Sequence, residues 1–161
     1  MRPLSRLFAV GLAACAAAPA AAGDPEPFAQ GAYAVIRKAH AGRPLIVHFW
    51  SIACPTCIAE LPDWARLARA RRDIDFVFVN ADRPSDRARV DARIDKAGIR
   101  QEANYSFADD FVERLYFEVD RNWSGELPFT ALIAPTGEAA TVVGAIDEPQ
   151  IEGWLAREAK R

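Results

Sequence analysis

Cysteine, methionine and histidine are all scarce in this 161-residue chain, with three, one and two copies. So few cysteines exclude a densely disulfide-stapled scaffold. A lone methionine, Met1, excludes a methionine-lined site for a soft metal. An excess of either charge is also missing: 20 basic residues stand against 22 acidic ones. That balance leaves no footprint for nucleic acid, so no nucleic-acid partner is expected. Arg66, Arg69, Arg71 and Arg72 do cluster, but on the polar side of an expected helix, where a solvated face accounts for them. Repeats and low-complexity tracts are lacking beyond an alanine-rich N-terminus. What remains is an ordinary globular composition, 51% hydrophobic and 26% charged, long enough for one core.

A membrane-spanning run is lacking too. The apolar stretch from Leu7 to Ala22 is alanine-dominated, is broken by Pro19 and falls short of the ~20 residues that cross a bilayer. With Arg2 and Arg6 ahead of it and Ala20-Ala21-Ala22 before Gly23, it reads as an export signal. The expected division is therefore a signal over residues 1–22 and one domain over residues 23–161. Leu12-Ala13-Ala14-Cys15 resembles the lipobox of bacterial lipoproteins. Free export to a periplasmic or similar compartment and lipid attachment at Cys15 stand as two alternatives. Either way Cys54 and Cys57 are left as one thiol pair in an oxidising compartment.

That pair, in Cys54-Pro55-Thr56-Cys57, is the most informative feature present. It follows the apolar run Pro44-Leu45-Ile46-Val47-His48-Phe49-Trp50 and precedes a helical pattern from Ile58 onward. A helix N-terminus carries unpaired N–H groups and partial positive charge, which stabilise a thiolate, the reactive form of cysteine. Two cysteines delivered there suit reversible dithiol–disulfide chemistry. Cys54, nearest the helix start, is the expected nucleophile and Cys57 the resolving thiol.

The rest of the chain alternates helices and strands. Phe28, Ala32, Val35, Ile36 and Ala39 have helical spacing, and Gly42 ends that helix. Leu45 to Trp50 suits a strand buried on both faces. The next helix buries Ile58, Leu61, Trp64 or Ala65, and Ala68, with Pro62 predicting a kink near Ala59. Ile74 to Val79 is a strand. Asp82, Pro84 and Ser85 open a helix that buries Val90 and Ile94 and stops at Gly98. Residues 99–127 are the least regular, with Phe107, Phe111 and Leu115 on one expected helix face capped by Ser106. Phe129 to Ala134 and Ala139 to Gly144 flank the turn signal Pro135-Thr136-Gly137, as in a hairpin. Asp147-Glu148-Pro149-Gln150 has the form of a capping box before a helix that buries Ile151, Trp154 and Leu155. This order predicts an α/β domain with a mixed sheet covered on both faces.

With Cys-x-x-Cys after the first core strand, that order resembles the thioredoxin fold, and most closely the exported TlpA/ResA-like thioredoxins. The match rests on residues 47–62, ending Glu60-Leu61-Pro62, and on Gly125-Glu126-Leu127-Pro128-Phe129. The resemblance implies a thioredoxin-like central mixed sheet flanked by helices on both faces. It also implies thiol–disulfide oxidoreductase activity with no cofactor. Pro128 takes the place of the family's cis-proline, which with Leu127, Pro55 and Thr56 would face an extended substrate. Glu60 takes the place of a partly buried carboxylate that handles protons or tunes the thiols. The implied partners are disulfide-containing or dithiol exported proteins, such as cytochrome c or copper-site assembly factors, and a membrane electron donor. Three departures stand out. Ala53 replaces the usual Trp before the first cysteine, the dipeptide is Pro55-Thr56, and residues 99–122 match poorly.

Two other function classes compete. A copper carrier would use Cys54 and Cys57 as soft ligands for Cu(I). His48 would have to lie beside the thiols to join them, and a satisfied core histidine is the preferred reading. His40, at a helix end, suits the C-terminal dipole rather than a metal. A purely structural disulfide is disfavoured, because a two-residue spacer closes too short a loop to stabilise much.

Overall fold

The structure is a computed structural model, and it describes residues 23–158. The expected signal and Cys15 lie outside them. Among the described residues no helix is long and apolar enough to cross a membrane.

The elements run β1 (Glu26–Phe28), α1 (Ala32–Ala39), β2 (Leu45–Trp50), α2 (Pro55–Ala70), β3 (Asp75–Asn80), α3 (Arg87–Ala97), β4 (Ala103–Phe107), α4 (Val112–Val119), β5 (Phe129–Ile133), β6 (Ala139–Val143) and α5 (Glu148–Glu158). One sheet in the order β1-β4-β3-β2-β5-β6 collects the strands. β2, β3, β4 and β1 pair in parallel, and β5 and β6 add antiparallel, so the sheet is mixed as its sequence order predicts.

β2 is buried at all six positions, which is why its sequence shows an unbroken apolar run instead of alternation. Its odd and even residues divide between two cores. Ile46 and Trp50 pack with Cys57, Leu61 and Trp64 of α2, Val90 and Ile94 of α3, and Ile151 and Trp154 of α5. Leu45, Val47 and Phe49 pack with Ile36 of α1, Leu115 of α4 and Trp123. Each such side chain contributes about 1.5–3 kcal/mol by leaving water. The α5 capping box forms reciprocally: Asp147 N–H donates to Gln150 Oε1 and Gln150 N–H to Asp147 Oδ1, both at 2.9 Å. α2 runs on through Pro62 without a break.

Several expectations fail. Phe28 lies in β1 and not in the first helix, which begins only after Gly31. β1 has three residues and pairs with β4, with Phe28 opposite Phe107, so neither a local pattern nor a near neighbour signals it. Phe28 and Ile36 do share one core, which explains how helical spacing arose without a helix there, whereas Val35 is 67% exposed. Phe107 and Ser106 likewise belong to β4, so they neither line nor cap a helix. Phe111 precedes α4 and stays exposed under the Arg114 guanidinium. Trp123 closes this irregular stretch by stacking on Phe129 at 4.2 Å and touching Phe49 and Tyr116. Gly125 is obligatory here: its φ is +100°, and a Cβ would meet the Tyr116 ring at 2.8 Å.

Candidate active site

β2 ends at Trp50, and four residues later Cys54 caps the N-terminus of α2, whose first residue is Pro55. Proline suits that position because its missing N–H would have no helical partner there. Cys57 N–H donates to Cys54 Sγ at 3.1 Å. Cys54 and Cys57 form a disulfide, with Cα atoms 5.3 Å apart. Their exposure is unequal. Cys54 is partly exposed, between exposed Ala53, Pro55 and Thr56, whereas Cys57 is completely buried. An approaching disulfide therefore meets Cys54 first. When the pair is reduced, the Cys57 N–H and the helix dipole favour the Cys54 thiolate.

Pro128 stands at the same end of the sheet. Phe49 pairs with Phe129, so Pro128 lies one register step on, alongside Trp50. The Leu127–Pro128 peptide is cis, and the Pro128 carbonyl accepts from Gly144 N–H at 2.8 Å. Leu127 is half-buried and packs against both cores.

The segment before Cys54 is held by residues that sequence reasoning missed. Asp82, which by pattern opens a helix, instead turns its carboxylate onto this loop, and a 3₁₀ turn at Pro84–Asp86 leads into α3. Ser51 Oγ–H donates to Asp82 Oδ1 at 2.6 Å, and Ile52 N–H donates to Oδ2 at 2.7 Å. Asn80 Nδ2–H also donates to Oδ2 at 2.7 Å, while Asp82 N–H returns a bond to Asn80 Oδ1. Ala53 N–H donates to Ser51 Oγ at 2.9 Å. Nothing in the sequence marks Asp82 or Asn80 for this work, because they come from the end of the neighbouring strand.

Below the pair lies a second polar group. His48 is 1% exposed, with its ring 4.6 Å from that of Trp64 and 6.2 Å from that of Phe78. Its Nδ1 lies 3.0 Å from Thr130 Oγ1, directly opposite on β5. Its Nε2 lies 3.3 Å from Glu60 Oε1. Neither Nε2 nor Oε1 has a well-aligned hydrogen bond. Burial pushes the His48 pKa below its ordinary value, while the nearby Glu60 carboxylate pulls it back up. The histidine is thus a core residue, but one that meets Glu60. The polar residue inside the apolar β2 run was its one visible signal. His40, at the other end of the molecule, bonds Asp75 at 2.8 Å.

Glu60 is three residues beyond Cys57, which places helix neighbours about 5–6 Å apart at their Cβ atoms. Its side chain is 15% exposed and lines a groove of about 450 Å3 with Trp64, Ile146, Asp147 and Ile151. No group of three or more His, Cys, Asp or Glu side chains among the described residues is arranged to hold a metal ion. Arg66, Arg69 and Arg72 are exposed, as a solvated face requires.

Comparison with known proteins bears on the fold. No family model and no curated protein matches this sequence. Solved structures do match. A thiol-disulfide isomerase from Corynebacterium glutamicum superposes with a TM-score of 0.62 at 14% identity, covering 74% of this chain and 82% of its own. A secreted Mycobacterium tuberculosis disulfide oxidoreductase homologous to E. coli DsbE gives 0.58 at 20%, over 74% and 85%. StoA from Bacillus subtilis gives 0.53 at 23%, over 71% and 84%. At such identities the likeness establishes the architecture: a thioredoxin-like fold, with a Cys-x-x-Cys pair that fits a redox function.

Proposed function

We propose that this chain is an exported thiol–disulfide oxidoreductase that reduces disulfides of selected exported proteins. The observation that carries the reading is the unequal exposure of one pair: Cys54 accessible at a helix N-terminus, Cys57 buried behind it. The Cys54 thiolate attacks one sulfur of a substrate disulfide, forming a mixed disulfide and releasing the other sulfur as a thiolate. Cys57, having given up its proton, then attacks Cys54 Sγ and expels the second substrate thiolate. Two electrons pass to the substrate, and the Cys54–Cys57 disulfide is left. Glu60 is the nearby carboxylate that handles the Cys57 proton. Pro55, Thr56, Leu127 and Pro128 flank the attack site and hold the substrate strand. A membrane electron donor restores the dithiol. The similar solved structures, one of them a secreted disulfide oxidoreductase, support export and partners of this kind. Cytochrome c or copper-site assembly factors are the substrate classes that suit it, and lipid attachment at Cys15 would keep it at the membrane.

The test is reduction of insulin disulfides by wild type and by Cys54→Ser. Turnover in wild type and background rates in the variant are expected, and equal rates in both would sink the reading. The equilibrium potential of the pair then gives direction. A value near the roughly −270 mV of thioredoxin supports reduction, and one near the roughly −120 mV of DsbA reverses the flow.

A further inference from the structure

We propose that the β6 edge of the sheet is a self-association surface: Ala139–Val143 pairs antiparallel with the same strand of a second copy of this chain, about a two-fold axis at Thr141. The proposal stands apart from the oxidoreductase reading, and neither depends on the other.

The two edges of the sheet are built differently. Among the described residues the sheet ends in β1 on one side and β6 on the other. An edge strand presents a row of N–H and C=O groups to any other strand, and proteins blunt such edges by shortness, charge or proline. β1 is blunted in all three ways: it has three residues, among them Glu26 and Pro27. β6 is blunted in none of them. It reads Ala-Ala-Thr-Val-Val, with no charge or proline, and its register with β5 is unbroken. All of its residues but Val142 are exposed, and Val143 is 59% exposed.

Pairing with β5 decides which backbone groups face outward. Gly144 N–H donates to the Pro128 carbonyl and Ala134 N–H to the Glu138 carbonyl, both at 2.8 Å. Opposed residues of an antiparallel pair alternate between bonded and non-bonded. Residues 138, 140, 142 and 144 therefore bond β5, and Ala139, Thr141 and Val143 turn their N–H and C=O groups away from it. A second β6 supplies the matching set. With Thr141 opposite Thr141 of the second copy, Ala139 meets Val143 and Val143 meets Ala139, and each pair exchanges both of its backbone hydrogen bonds. Threonine and valine side chains suit the pleated surface so formed. The same register sets Glu138 against Gly144, so no like charges are directly opposed along the strands. The two Asp120 carboxylates approach the axis, each bonded to its own Thr141 hydroxyl at 2.7 Å, and salt screens their repulsion. The contact uses the same patch on both copies, so it closes as a dimer and does not propagate into a fibre. Cys54 and Pro128 lie at the Val143 end of the strands, and the two-fold turns the two sites to opposite ends of the joined sheet, clear of the contact.

The test is sedimentation equilibrium of the protein as isolated, joined to amide hydrogen exchange read residue by residue. Mass is expected to rise from one chain toward two between about 1 μM and about 1 mM, the range in which small interfaces associate. Exchange at Ala139, Thr141 and Val143 should slow by about tenfold once nine-tenths of the protein is dimeric, while Ala140 and Val142, already bonded to β5, stay unchanged. Thr141→Pro deletes one outward N–H and no bond to β5, so it should leave a folded monomer. Should that variant not fold, Val143→Lys charges the edge at an exposed side chain and should weaken association by about tenfold or more. A protein that stays monomeric across the range, or a dimer whose outward amides exchange as fast as in the monomer, overturns the proposal. Outward amides already protected in the monomer mean that another part of this chain covers the edge, and they overturn it too. None of these outcomes bears on insulin reduction, so the oxidoreductase reading stands or falls separately.

Discussion

The polar groups on the two sides of the cysteine pair are organised in opposite ways. Ahead of Cys54, the Asp82 carboxylate accepts from Ser51, Ile52 and Asn80 at 2.6–2.7 Å. Beneath Cys57, His48 and Glu60 face each other at 3.3 Å without an aligned bond. The first network is saturated: moving any member strands a donor. The second is a pair that no aligned bond fixes.

The contrast breaks most visibly if the floor loses its cover. Trp64→Ala removes the ring over His48 and opens a cavity in the core shared with Cys57, and it should cost about 3–5 kcal/mol, read from urea unfolding. Asp82→Ala comes next. It leaves three donors without their acceptor, and about 2–4 kcal/mol should be lost, together with faster amide exchange at Ile52. A matching loss in His48→Asn at neutral pH would contradict the claim that only the front network is saturated.

A smaller effect concerns pH. The fold depresses the His48 pKa, so the folded state excludes a proton that the unfolded chain accepts below about 6.5. Stability is full above that pH and declines as pH falls below it. Urea midpoints at pH 8 and pH 5.5 should therefore differ more in wild type than in His48→Asn. Equal differences would place the acid sensitivity elsewhere. Smallest of all is Arg66→Ala on the exposed rim. Its two ion pairs are 3.5 and 3.6 Å long and solvent-screened, so less than about 0.5 kcal/mol should change.

Legibility followed the range of the interactions. Leu45 to Trp50 and the helix from Cys54 announce themselves because one strand and one helix start are local patterns. The capping box of Asp147 and Gln150 is local too, and it forms bond for bond. β1 and β4 escaped, since three residues at Glu26–Phe28 become a strand only by meeting residues 105–107. The same reason hid most of the site. Cys54, Cys57 and Glu60 share one helix and could be picked out, whereas Asp82 and Thr130 arrive from other strands.

By itself the sequence determined that a lone thiol pair would sit at the start of a helix behind a fully buried strand. Spacing, capping and apolar runs act between near neighbours, and those are set as the chain is written. Only the tertiary structure decided what surrounds the sulfurs: Cys57 sealed and Cys54 open, Asp82 clamping the loop, His48 turned toward Glu60. Those outcomes depend on which strands lie side by side. Sheet order β4-β3-β2-β5 brings residues 80–82 and 130 to residues 48–52, and no local pattern records that meeting.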